Sequence, residues 1–110
     1  MKKYCFALDL KNDSHLIDEY KTFHQNVWPE IIESIKKSGI INLEIYNVQN
    51  RLLMIMEVDE NFSFAKKSKL DAINPKVQEW ETLMWKFQQA LPDTQPGEKW
   101  LLMDKIFELK

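Results

Sequence analysis

Ile40-Ile41-Asn42-Leu43-Glu44-Ile45-Tyr46-Asn47-Val48-Gln49-Asn50-Arg51-Leu52-Leu53-Met54-Ile55-Met56 reads as two strands joined by a tight connection. Over residues 40–48 apolar and polar side chains alternate, with Ile41, Leu43 and Ile45 on one face and Asn42, Glu44 and Tyr46 on the other. That period of two is the mark of a strand buried on one side. Gln49-Asn50-Arg51 turns the chain, and residues 52–56 are then apolar at every position until Glu57. A run without alternation belongs to a strand covered on both faces, so the pair predicts a β-hairpin whose second strand lies inside a sheet.

Upstream, residues 4–10 place Tyr4, Phe6, Leu8 and Leu10 on one face of a first strand, and Asn12-Asp13-Ser14 supplies candidate N-caps for a helix over residues 15–38. Lys36 and Lys37 in its last turn and Gly39 after it close that helix. Pro29 interrupts it, predicting a kink near Trp28 or a restart with Pro29 as the first helical residue. Downstream, residues 61–72 hold one short, weakly amphipathic helix. Asn74-Pro75 opens another, carrying Val77, Trp80, Leu83 or Met84, and Phe87 inward until Leu91-Pro92 stops it. Residues 92–97 are a loop by composition. Residues 100–109 read as a last strand, with Leu101, Met103 and Phe107 against Leu102, Asp104 and Ile106.

The order strand, helix, strand, strand, helix, strand predicts an α+β, ferredoxin-like βαββαβ domain over residues 1–110, with the helices on one face of an antiparallel sheet. The other face needs cover that this chain has no spare helix to give. A symmetric homodimer packed sheet to sheet, a dimeric α/β barrel, is the economical solution.

Composition narrows the function. Lys+Arg 15 against Asp+Glu 17 gives a formal charge of -2 with scattered basic residues, unlike the electropositive footprint of a nucleic-acid binder. Cys5 is the only cysteine, which excludes an internal disulfide and a zinc site of paired cysteines, and it reads as a small buried filler. No run approaches the roughly 20 apolar residues of a membrane helix. The N-terminal apolar patch is broken by Asp9 and Lys11 before a secretory segment is complete, so a cytoplasmic protein without a membrane partner is expected. Gly39 and Gly97 are the only glycines and make no phosphate loop. His15 and His24 lie nine residues apart on different helical faces, which argues against a metal.

Proton transfer is the chemistry that remains. Leu16, Tyr20, Phe23, Val27, Ile31 and Ile35 recur at helical spacing, so Tyr20 and His24, one turn apart, point inward. An inward imidazole pairs with a side chain, a backbone carbonyl or a ligand, and its ordinary pKa suits acid–base work near neutrality. The plain alternative is a core histidine bonded to a backbone carbonyl. Tyr20 can equally be a buried phenol satisfied locally, Trp28 and Trp80 structural anchors, and Glu81 a solvated carboxylate.

Tyr20-Lys21-x-x-His24-x-x-Val27-Trp28-Pro29-Glu30, Gly39-Ile40-x-Asn42, Asn74-Pro75-x-Val77-Gln78-x-Trp80-x-x-Leu83-Met84 and Gly97-x-x-Trp100 together resemble the L-rhamnose mutarotase family over nearly the whole chain. The resemblance implies a ferredoxin-like homodimer that interconverts the α and β anomers of L-rhamnose or a related 6-deoxy sugar, with a monosaccharide as its partner and no metal or cofactor. It implies that His24 is the catalytic proton donor and that Tyr20 contacts the sugar. It places Leu43, Trp80 and Glu81 at the sugar site, with Trp80 offering an aromatic face and Leu43 taking the 6-deoxy methyl. The chain departs from the family pattern in having Leu43 for a tyrosine, Glu81 for a second tryptophan and Lys99 for a tryptophan before Trp100. Two other readings stay open on this fold: a sugar-binding domain without catalysis, and a cofactor-independent monooxygenase or isomerase.

Overall fold

β2 (Ile40–Val48) and β3 (Arg51–Val58) form the expected hairpin, closed by Gln49-Asn50. The computed structural model describes residues 2–110. Gln49 takes a positive φ of 53°, and Asn47 Nδ2 donates to the carbonyls of Gln49 and Arg51, both at 3.0 Å. β3 is central. Its other edge pairs antiparallel with β1 (Lys2–Leu10), from Lys2 opposite Val58 to Asp9 opposite Arg51.

Residues directly opposite in an antiparallel pair share a face. Phe6, Leu8 and Leu10 of β1 and Leu52, Met56 and Val58 of β3 are buried on one side of the sheet. In β2 the inward set is Ile40, Leu43 and Ile45 rather than Ile41, Leu43 and Ile45. A bulge between Ile40 and Asn42 inserts one residue, which turns Ile41 outward at 58% exposure and Ile40 inward.

α1 (Ser14–Gln25) and α2 (Pro29–Lys37) replace the single helix expected over residues 15–38. Of the two outcomes at Pro29, the chain takes the restart. The proline cannot donate to the preceding turn, and it holds Trp28 extended at ψ 135° as the N-cap residue. Asp13 is the cap used by α1, its Oδ1 accepting from the N–H groups of His15 at 2.9 Å and Leu16 at 3.2 Å. Gly39 ends α2 with φ +96°, where a Cβ would lie 3.0 Å from Asp59 Oδ1. α3 (Phe64–Ile73) is capped by Ser63, and Asn74 Oδ1 accepts from Lys76 and Val77 to start α4 (Pro75–Trp85).

Two expectations fail at the remaining sheet edge. The last long helix stops at Trp85, not Leu91, because Phe87 turns back to the sheet and accepts from Lys11 N at 2.8 Å. The next residues form a short strand, β4 (Gln88–Gln89), opposite Leu10 and Asp9. The final strand covers only β5 (Leu101–Leu102), opposite Ala7 and Phe6, instead of residues 100–109. The edge of β1 is thus shared between two short segments. Beyond it, Ile106, Phe107 and Leu109 are 94%, 76% and 86% exposed.

The sheet order β2-β3-β1-β4 with these antiparallel pairings is the ferredoxin-like arrangement. The helices gather on the face carrying Phe6, Leu8 and Leu10, around a main core of Leu10, Tyr20, Ile31, Leu52, Val77, Trp80, Met84 and Phe87. Phe6, Ile40, Met56 and Val58 form a second, smaller cluster toward α3, where Phe64 meets Tyr4 and Phe6 edge-on. Cys5 is half-buried on the opposite face, not enclosed as a core filler, because its strand position alternates away from the helices.

Candidate active site

Tyr20 and His24 occupy successive turns of α1 and meet ring to ring, with centroids 4.3 Å apart. His24 Nδ1 lies 2.8 Å from the carbonyl oxygen of Tyr20. A carbonyl can only accept, so Nδ1 carries the hydrogen and Nε2 keeps its lone pair in the neutral ring. Trp80 from α4 presents a T-shaped contact to the imidazole at 5.6 Å, and Trp28 packs against Trp80 at 5.0 Å. Burial among these rings pushes the His24 pKa below 6.5, with the Tyr20 carbonyl opposing the shift.

Burial also governs Tyr20. Its phenol is pushed up to about 12, opposed by a hydrogen bond from Gln88 and reinforced by the charge of Glu81. The hydroxyl therefore stays protonated across ordinary pH. Gln88 Nε2 donates to it at 3.3 Å, while Gln88 Oε1 is buried with no hydrogen-bond partner.

These groups open on a cavity of about 530 Å³ between the helices and the sheet, well within the roughly 300–1,000 Å³ of small-molecule sites. The cavity brings together all five residues singled out from the sequence. Tyr20 and His24 come from α1, Leu43 from β2, and Trp80 and Glu81 from α4. Leu43 is half-buried beside the Met54 and Met56 wall, and Glu81 stands at the rim with its side chain 49% exposed. Among the described residues no three His, Cys, Asp or Glu side chains gather into a metal-binding group, and no helix is long and apolar enough to cross a membrane.

The cavity also contains residues that sequence reasoning missed: Gln88, Trp100 and the Lys67–Asp71 ion pair of α3. Gln88 was hidden because a helix drawn through to Leu91 gives no reason to turn it inward. Trp100 belonged to a recognisable motif, yet its place at the site depends on the path of the preceding loop. The two departures on the second half of the chain meet each other: Lys99 Nζ lies 2.6 Å from Glu81 Oε2 and over the Trp85 ring at 5.0 Å. A reciprocal ion pair thus joins the two positions, far apart in the chain, that the sequence resemblance marked as departures.

A histidine with an available lone pair, a protonated phenol, aromatic walls and both neutral and charged polar groups line one cavity on a ferredoxin-like α+β scaffold, a set of groups able to move protons on a small molecule. The chain belongs to the L-rhamnose mutarotase family, which it matches over residues 3–109. It is 45% identical to the L-fucose mutarotase of Xanthomonas campestris pv. campestris, over 99% of this chain and 89% of that protein. It is 30% identical to the L-rhamnose mutarotase of Oceanobacillus iheyensis, over 86% of this chain and 83% of that one. The crystal structure of an L-rhamnose mutarotase from Formosa agariphila shares the fold, with a TM-score of 0.73, 21% identity and full coverage of both chains.

Proposed function

We propose that this protein is an isomerase that interconverts the α and β anomers of a 6-deoxy-L-hexose, with L-fucose preferred over L-rhamnose. The observation that carries the reading is His24, whose Nδ1 is tied to a backbone carbonyl while the ring lines a cavity of monosaccharide size. The higher identity to a protein named for L-fucose, 45% against 30%, supports the sugar preference. Leu43 and Glu81, the positions at which the chain departs from the resemblance, support a sugar other than L-rhamnose.

The reaction needs only protons to move. Neutral His24 accepts the proton of the anomeric hydroxyl through Nε2, the bond from C1 to the ring oxygen breaks, and the ring oxygen takes up a proton from solvent water, which regains it when the ring closes. Rotation about C1–C2 presents the other face of the aldehyde. Closure then reverses the transfers, with the imidazolium now acting as proton donor. Tyr20, kept as a phenol, donates a hydrogen bond to the sugar; Trp80 covers its C–H face, Leu43 receives the methyl group, and Glu81 borders the hydroxyl side. The chain works as one folding unit over residues 1–110, in the cytoplasm, as a homodimer with no nucleic-acid, membrane, metal or cofactor requirement. Half-buried Cys5, Ala7, Leu53 and Ile55 on the helix-free sheet face, with the exposed apolar tail, support the pairing.

Anomer exchange measured by saturation-transfer NMR on L-fucose and L-rhamnose tests the reading. The wild type should accelerate exchange, and His24→Ala should lose about 10²- to 10⁴-fold of that acceleration, the usual size of acid–base assistance. Sugar binding without accelerated exchange would make this a binding domain instead.

A further inference from the structure

Gln88 is 5% exposed, yet one end of its amide has no partner. Buried polar atoms are nearly always paired, so an unpaired oxygen on a residue that lines the cavity marks hydrogen-bonding capacity that the protein itself does not use. Its position is fixed by the sheet. Gln88 stands opposite Leu10, a residue of the helix-side core, and this register turns its side chain toward Tyr20 and the cavity.

The amide and the phenol form a unit. Gln88 Nε2 donates to the Tyr20 hydroxyl, so the phenol's own hydrogen and the Oε1 lone pairs are both left over, side by side. Turning the amide over exchanges the roles, since the phenol then donates to Oε1 and leaves its own lone pairs beside free N–H groups. Either way the unit offers at least one donor and one acceptor. A carboxylate or ketone could use only the donor, whereas an alcohol both gives and takes a hydrogen bond.

We propose that Gln88, together with Tyr20, is a specificity-determining residue that reads one ring hydroxyl of the sugar substrate. The inference rests on the mutarotase reading and extends it to a residue outside the acid–base pair. L-Fucose and L-rhamnose differ in configuration at C2 and C4, so a donor–acceptor pair held between α1 and β4 can tell one from the other.

Two measurements test it. In wild-type protein labelled with ¹⁵N, the Gln88 side-chain amide should shift on titration with L-fucose; an amide that does not move while other cavity residues do overturns the inference. Among sugar analogues lacking the C2, C3 or C4 hydroxyl, one should lose roughly tenfold in kcat/KM against wild type, the worth of one hydrogen bond. Gln88→Met should abolish that discrimination. An equal loss on every analogue would indicate a purely structural role and also overturn it. The two readings fail separately: a Gln88 amide that shifts without accelerated exchange defeats the mutarotase reading alone, and accelerated exchange with a silent amide defeats the Gln88 inference alone.

Discussion

His24 shows how much of a site's chemistry is set by its nearest neighbours. The Tyr20 and Trp80 rings remove water from the imidazole, and burial disfavours the charged form, while the Tyr20 carbonyl selects the tautomer. Activity that starts from neutral His24 should hold at and above neutral pH and decline as pH falls, with an acid limb in kcat/KM centred below 6.5. A pH profile checks this, and a limb above 6.5 would contradict it. Stability follows the same sign. The unfolded chain takes up the proton first, near 6.5, so folding free energy declines between that value and the lower folded one, then levels off. Tyr20 and His24 were legible in the sequence because i and i+4 on an apolar stripe share a face. Gln88 was not, since no local pattern reports that a residue sits opposite Leu10.

At the scale of elements, local chemistry set most boundaries. Pro29 divides the long helix, Asp13 and Asn74 cap α1 and α4, and Gly39 ends α2 in a left-handed conformation that other residues adopt at a cost. Gly39→Ala should therefore lower stability by about 1–2 kcal/mol, read as a lower urea midpoint with an unchanged slope. The φ of +96° and the nearby Asp59 carboxylate act in the same direction. The end of α4 was illegible for a different reason. Lys86-Phe87-Gln88-Gln89 contains no helix breaker, and only competition from the unpaired edge of β1 draws it out of the helix. The bulge at Ile40–Asn42 is equally non-local, because it exists only relative to Val58 and Glu57 across the ladder.

At the scale of the whole molecule, the helix-free sheet face and the tail bearing Ile106, Phe107 and Leu109 leave apolar surface exposed in one chain. Burial of such surface favours association at roughly 25 cal/mol per Å² before the costs of docking. Ile106→Asp combined with Phe107→Asp should shift a dimer toward monomer in sedimentation equilibrium, and an unchanged dimer would place the interface elsewhere. The sequence by itself determined the order of strands and helices as far as α4, the ferredoxin-like class, the interruption at Pro29 and the inward pair Tyr20–His24, because periodicity, caps and a missing N–H act within a few residues. Only the tertiary structure decided which segments share the edge of β1, how Glu81 meets Lys99, and that Gln88 lines the cavity with its Oε1 unpaired. Those outcomes depend on groups far apart in the chain competing for the same hydrogen bonds and the same space, a competition no single stretch of sequence contains.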